Sequence, residues 1–331
     1  MIFSLAITGP TASGKTALSL DFAERLGGEI ISCDSMQIYK GMDIGTAKAT
    51  AEEQRRAKHH LIDFLDPKES FSVEAYREMA IAQAREISER GRVPIFVGGT
   101  GLYVDALMRA PQMSAPESDP EYRAAIIESI HGDEDVHALW ERLRSVDPES
   151  AEAIHKNNIK RVIRALEIYD KTGITKSELD KRSRLPSPEI FVGMITLDFH
   201  DRELLYSRID KRVDIMMEEG LLCEVRTLFE NKMIPSDSTA AQAIGYKELI
   251  SYLKGEEDLP SAIESIKLAS RRYAKRQLTW FRHVRDAKHL YADDLGTKQM
   301  RPYDSLLSEA LSLAENFREE YFNITAGRVN F

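Results

Sequence analysis

GPTASGKT, residues 9–16, follows the apolar run Ile2 to Ile7 and precedes TALSLDFAERLG, where Leu18, Phe22 and Leu26 recur at helical spacing until Gly27 and Gly28 stop the pattern. Strand, glycine-rich loop and helix are the context that the spelling G-x-x-x-x-G-K-[ST] requires, so the stretch reads as a phosphate-binding loop. Gly9, Pro10, Thr11, Ala12, Ser13 and Gly14 surround phosphate oxygens, mostly through backbone N–H groups joined to the positive end of the following helix. Lys15 supplies a point charge, and the Thr16 hydroxyl is placed to help ligate Mg²⁺. Such a loop suits ATP, another nucleotide or any other diphosphate, and its spelling says neither which compound is held nor what is done to it.

The remainder of the chain narrows the choice. With 331 residues, 43% of them apolar and 30% charged, the sequence has the composition of a globular protein. The longest apolar runs, Ile2 to Ile7 and Val93 to Val97, are too short to span a bilayer. The apolar start has no basic n-region, which predicts a cytoplasmic protein with no membrane partner. Cys33 and Cys223 lack the paired spacing of a zinc site and are expected to be reduced structural thiols. A net charge of −9 argues against non-specific coating of nucleic acid, yet RRYAKRQLTWFRHVRDAK, residues 271–288, holds seven Lys/Arg against one acid.

Further strands are predicted at 29–33, 59–63 (HHLID), 93–97 (VPIFV), 191–199 (FVGMITLDF) and in HLYAD near the end. Between 59–63 and 93–97, SVEAYREMAIAQAREISERG reads as a helix with Ser72 as N-cap and Gly91 as stop. Fully apolar strands alternating with helices predict an α/β fold, a P-loop NTPase-like parallel sheet with helices on both faces. After Met108 the pattern turns helical. The predicted organisation is therefore a discontinuous core, 1–110 and 190–290, an all-helical insertion over 111–189, and a C-terminal strand, helix and tail over 291–331. APQMSAPESDP (110–120) and LPSP (185–188) read as the linkers. The stretches 202–230 and 259–284 read as long amphipathic helices, and 305–322 as a surface helix.

In an open parallel sheet, ligands sit beyond the carboxyl ends of the strands. Three strands here end in polar signatures: the loop at 9–16, Asp34-Ser35-Met36-Gln37, and Gly98-Gly99-Thr100-Gly101. They are expected to face one cleft. Asp34 is open to three readings: a magnesium ligand, a general base or a cap for the following turn. A kinase commonly carries a metal-binding Asp where VPIFV instead ends in Gly and Thr, so the apparatus for moving a phosphoryl group is incomplete. That tilts the loop towards holding a diphosphate as a leaving group.

GPTASGKT, DSMQIYKGMDIGTAK (34–48), HHLIDFLDPKESFSVEAY (59–76), VGGTGLY (97–103), KRVIRALEIY (160–169), QAIGYKE (242–248) and YAKRQLTWFR (273–282) occur in the order found in tRNA dimethylallyltransferases. The chain resembles that family over roughly residues 4–285, with DSMQIYKGMDIGTAK and KRQLTWFR as its most specific segments. The resemblance implies transfer of a dimethylallyl group from dimethylallyl diphosphate to the exocyclic N6 amine of the adenine 3′-adjacent to the anticodon, with release of diphosphate. It implies Asp34 as the base that takes the amine proton, Thr100 as a second group holding that amine, and Lys15, Arg212 and Mg²⁺ on the diphosphate. Ser35, Met36 and Gln37 are implied to touch the target base, which must leave the stack to be alkylated.

The same resemblance carries the tRNA anticodon stem-loop to Arg123, Lys160, Arg161, Val162, Ile163 and Arg164 in the insertion. It carries it also to Gln242, Ala243, Ile244, Gly245, Tyr246 and Lys247. Tyr273 is a stacking surface by this reading, and Trp280 is either a second one or core packing. No cysteine follows Cys223, so the zinc finger that eukaryotic relatives add is not expected; the type is bacterial and a monomer. The rival readings are a small-molecule kinase, an adenylate isopentenyltransferase acting on free AMP, ADP or ATP, and a non-catalytic RNA-binding module.

Overall fold

The computed structural model describes residues 1–109, 119–182, 185–235 and 238–328. The linker expected at 110–120 lies outside the described residues up to 118. The chain divides into two compact units, the first of Met1–Leu107 with Glu189–Phe331 and the second of Met108–Pro188.

The first unit is built on β1 (Ile2–Thr8), β2 (Gly28–Ser32), β3 (His59–His60), β4 (Val93–Gly98), β5 (Ile190–Asp198) and β6 (Lys288–Tyr291). They form one sheet in the order β3-β2-β4-β1-β5-β6, with every pairing parallel. β1 is flanked on both sides, with Leu5 opposite Ile95 and Ile195 close by in register with Ile7. Its inner residues are buried on both faces, as the unbroken apolar spelling requires. β3 is shorter than HHLID because Leu61 and Asp63 take positive φ, 55° each, and leave the extended conformation.

Helices α1 (Lys15–Leu26), α2 (Ala51–Arg56), α3 (Val73–Glu89) and α4 (Gly101–Met108) follow the first four strands. Ser72 caps α3 by accepting the Ala75 N–H at 3.1 Å. The second unit holds α5 (Pro120–Glu128), α6 (Asp133–Val146), α7 (Pro148–Ala153), α8 (Ile159–Thr172) and α9 (Lys176–Arg182). Leu143, Ala151, Ile154, Val162, Ala165 and Leu166 form its core, over which the Trp140 indole donates to the carbonyls of Ala151 and Ile154. The fully buried Glu167 carboxylate is held by Arg123 at 2.8 Å, Arg164 at 2.7 Å and the Asp119 N–H at 2.6 Å, the pairing that a buried charge demands.

The first unit resumes with α10 (Arg202–Glu218), α11 (Leu221–Glu230), α12 (Tyr246–Leu253), α13 (Leu259–Arg282) and α14 (Tyr303–Arg328). The stretch 202–230 is two helices, because Gly220 at φ 103° turns the chain between them. The C-terminal segment expected from 291 onward is not separate. β6 completes the sheet, and α14 buries Leu306, Leu307, Ala310, Ala314 and Phe317 in the main core.

Phe317 packs so closely on β5 that a Cβ at Gly193 would lie 2.5 Å from its ring. Gly193→Ala is therefore expected to destabilise the protein by about 1–3 kcal/mol through overpacking, measurable by chemical denaturation.

Candidate active site

The site is built at the carboxyl ends of β1, β4 and β2, which lie side by side. Beyond β1 the backbone turns at Gly9, φ 140°, where a Cβ would sit 2.6 Å from the Leu197 carbonyl oxygen. The loop closes at Gly14, φ 99°, and no side chain caps the N-terminus of α1. Its first N–H groups are thus left for an anion. Ser13 contributes a buried hydroxyl without a hydrogen-bond partner. The Lys15 ammonium donates to the Pro10 carbonyl at 2.6 Å. Burial, reinforced by the neighbouring Arg212 charge and opposed by Asp34, brings it down to about 7.

Two arginines of α10 face the loop. Arg208 donates from Nε to the Ala12 carbonyl at 2.9 Å, and Arg212 lies one turn further along. Burial lowers the Arg212 guanidinium from its ordinary value, with Asp34 the largest opposing charge. The Thr16 hydroxyl makes no hydrogen bond to a described residue.

Asp34 follows β2. Its Oδ1 accepts the Met36 N–H at 2.9 Å, so the carboxylate caps the turn as well as facing Lys15 and Arg212. Burial pushes it above the ordinary carboxyl range, against the pull of that N–H and of both cations. Ser35 donates its N–H to Thr100 Oγ1 at 3.1 Å, joining the segment after β2 to the one after β4. The close approach of these segments explains the glycines: a Cβ at Gly98 would lie 2.2 Å from the Cys33 carbonyl oxygen, and one at Gly99 would lie 2.1 Å from Gln277 Nε2.

Gln277 on α13 straps the arrangement together. Its Nε2 donates to the Gly99 carbonyl at 3.0 Å, and its Oε1 accepts the Thr11 N–H at 3.0 Å. Tyr273, one turn earlier, lies against Thr100 and Gln277, and burial pushes its phenol up to about 12. These elements enclose a cleft of about 880 Å³ wholly within the first unit. Its lining includes Lys15, Arg208, Lys211, Arg212, Lys247, Arg272 and Arg276 against Asp34 alone, seven cations to one acid in a chain of net charge −9. A cleft of that sign concentrates polyanions.

The expected tRNA-facing residues divide by exposure. Lys160 and Arg161 are exposed on α8, and Gln242 and Lys247 are exposed with Ile244 half-buried. Val162 and Ile163 are each 1% exposed, and Val162 packs in the core of the second unit. Arg123 and Arg164 are committed to Glu167, so their charges are already matched. Ala243, Gly245 and Tyr246 are buried, and the Tyr246 hydroxyl donates to Glu224 at 2.5 Å. Trp280 is 45% exposed beside Gly101 and is not core. Cys33 is buried against the Tyr76 hydroxyl, whereas Cys223 is exposed.

Arg208 and Gln277 belong to the site although sequence reading did not select them. Arg208 had a signal, its spacing of four from Arg212 on one helix. Gln277 had none beyond its place in KRQLTW.

A family model described as IPP transferase matches residues 37–284. A tRNA dimethylallyltransferase of Thermoanaerobacter sp. (strain X514) is 48% identical over 294 residues, 87% of this chain and 91% of that protein. Among solved structures, the full-length tRNA isopentenylpyrophosphate transferase of Bacillus halodurans is 43% identical with a TM-score of 0.68, covering 97% of this chain and 100% of that one. Similarity therefore extends past residue 285, where the sequence reading had ended it. A eukaryotic dimethylallyltransferase acting on tRNA is 30% identical with a TM-score of 0.80, covering 97% of this chain and 80% of the other.

Proposed function

The chain belongs to the IPP transferase family, and from that premise we propose that it transfers a dimethylallyl group from dimethylallyl diphosphate to tRNA. The acceptor is the exocyclic N6 amine of the adenine 3′-adjacent to the anticodon, and diphosphate is released. The observation that carries this reading is the meeting of Asp34, Lys15 and Arg212 at one end of a strongly cationic cleft. It puts a proton acceptor beside an anion cradle without the strand-end Asp that a kinase carries after β4.

The amine nitrogen forms a bond to the allylic carbon as the carbon–oxygen bond breaks and its electron pair leaves on the diphosphate. Asp34 takes the amine proton. An adenine amine is a poor nucleophile, and a carboxylate pushed upward by burial is a better proton acceptor than an ordinary one. Thr100, tied to the Ser35 N–H, orients the amine. Lys15, Arg212 and the open N–H groups of the loop stabilise the charge that develops on the leaving group.

Thr16 would hold Mg²⁺, with diphosphate oxygens and water as the other ligands. The free Thr16 hydroxyl and the unpartnered Ser13 hydroxyl suit such a cradle, since this ion needs few protein ligands. When bound, the ion neutralises charge on the departing diphosphate.

We take the enzyme to be a cytoplasmic monomer, since one tRNA is to engage one cleft; among the described residues no helix is long and apolar enough to cross a membrane. Lys160 and Arg161 are the proposed phosphate contacts of the second unit. Replacing both by Ala is expected to lower the slope of log affinity for tRNA against log salt by about 1 per lost contact, read from binding isotherms at several salt concentrations.

The test of the function is incubation with labelled dimethylallyl diphosphate, Mg²⁺ and either unmodified tRNA or free AMP, ADP and ATP. Label in tRNA alone is expected. Label in free nucleotide would favour the adenylate isopentenyltransferase reading instead.

A further inference from the structure

Residues 43–48, DIGTAK, form a wall of the cleft through Gly45, Thr46 and Ala47, yet what orders that wall lies outside the cleft. Glu224, in the first turn of α11, accepts three consecutive backbone N–H groups. Its Oε2 takes those of Asp43 at 3.0 Å and Ile44 at 2.8 Å, and its Oε1 takes that of Gly45 at 3.2 Å and the Tyr246 hydroxyl at 2.5 Å. Three successive N–H groups converging on one carboxylate make an anion nest, here filled by a side chain of the protein itself. The fit leaves no slack, since a Cβ at Gly45 would lie 2.5 Å from the Tyr246 ring.

From this wall a line of hydrogen bonds leads to Asp34. The Gln37 amide donates to the carbonyls of Thr46 at 3.2 Å and Ala47 at 3.1 Å. Its Oε1 accepts from the Ser32 hydroxyl at 2.9 Å, and that hydroxyl accepts the Asp34 N–H at 3.3 Å. The phosphate loop, by contrast, is held by Arg208 and Gln277 and has no part in the line.

We propose that Glu224 is a positioning residue for the transfer, holding the 43–47 wall and, through Gln37 and Ser32, the alignment of Asp34 on the acceptor amine. The inference rests on the prenyltransferase reading above, and it predicts an effect on the acceptor half of the site alone. A misplacement of such a base by a fraction of an ångström is enough to slow a positioned reaction by about 10²-fold.

The experiment compares wild type, Glu224→Gln and Tyr246→Phe. Glu224→Gln is isosteric but turns an NH₂ group towards N–H donors, whereas Tyr246→Phe keeps all three backbone bonds. For Glu224→Gln, kcat is expected to fall about 30- to 100-fold, while the affinity for inorganic diphosphate and the Tm stay near wild type. Amide hydrogen exchange is expected to speed up over residues 43–47 and not over 9–16. Tyr246→Phe, which removes one donor to Glu224, should lose less in kcat than Glu224→Gln.

Unchanged kcat and exchange in Glu224→Gln would overturn the proposal. So would a parallel loss of diphosphate affinity, Tm and kcat, which is the mark of a merely structural role. Each variant is assayed with the acceptor that wild type uses, so a failure of the tRNA reading appears in the wild-type reaction and a failure of this inference only in the variants.

Discussion

Asp34→Asn is expected to slow prenyl transfer by about 10³-fold, the size of effect that a positioned general base supplies. Asparagine keeps an Oδ1 for the Met36 N–H, so the turn that Asp34 caps should survive. The affinity for inorganic diphosphate should hold or rise, because the substitution removes the carboxylate that acts on both Lys15 and Arg212. The pH dependence carries a sign. Asp34 must be ionised to take the proton, and burial holds its carboxyl above the ordinary range. Activity should therefore fall with acid through a value above the ordinary Asp value of about 3.9, and fall again in alkali as the Lys15 ammonium, brought down to about 7, loses its proton. Between the ordinary and the raised value the native state binds more protons than the unfolded chain. Stability from this group hence declines as pH rises through that window, and Asp34→Asn should be the more stable protein at neutral pH. Kinetics of wild type and variant across pH, with denaturation of both, check each part. A variant that turned over like wild type would remove Asp34 from the chemistry.

The second large effect is expected at Lys15. Lys15→Ala removes a point charge proposed to act on the leaving group and the ammonium that ties down the Pro10 carbonyl. A loss of about 10²- to 10³-fold in kcat is expected, as for other groups aimed at developing negative charge. Unlike Asp34→Asn, this variant should also bind inorganic diphosphate more weakly. Arg212→Ala should resemble it, and the double variant should lose less than the two losses multiplied, because both cations act on one anion. A fall in affinity with kcat unchanged would mean that Lys15 holds substrate and transition state equally well. Single-turnover rates and diphosphate titrations separate the cases.

The central sheet was legible because β1 and β4 are unbroken apolar runs and the loop after β1 has a spelling with a mechanism. The helical second unit was legible for a similar reason, a change of period after Met108. Legibility failed where tertiary contacts decide. α14 looked like a surface helix, yet its apolar residues complete the core over Gly193 of β5. Gln277 meets Thr11 across 266 residues of sequence, and Arg208 meets Ala12 across 196, distances at which no local pattern is informative. The segments expected to face tRNA divide by exposure, because a stretch of helix includes an inward face. Val162 and Ile163 alternate with exposed Lys160 and Arg161, and Tyr246 sits beside exposed Lys247, as the 3.6-residue period dictates. Glu224 had no signal at all, because three of its partners are backbone N–H groups about 180 residues away and the fourth is the Tyr246 hydroxyl on another helix.

In the proposed mechanism one cleft holds diphosphate at Lys15 and Arg212 and delivers the amine proton to Asp34 during prenyl transfer to tRNA. The measurement that tests it most directly is a reaction of unmodified tRNA with dimethylallyl diphosphate and Mg²⁺, followed by nucleoside digestion, mass spectrometry and assay of released diphosphate. One dimethylallyl group on N6 of the adenine 3′-adjacent to the anticodon is expected for each diphosphate released, with both products lost in Asp34→Asn. A phosphorylated product, or a prenyl group on any other atom, would contradict it.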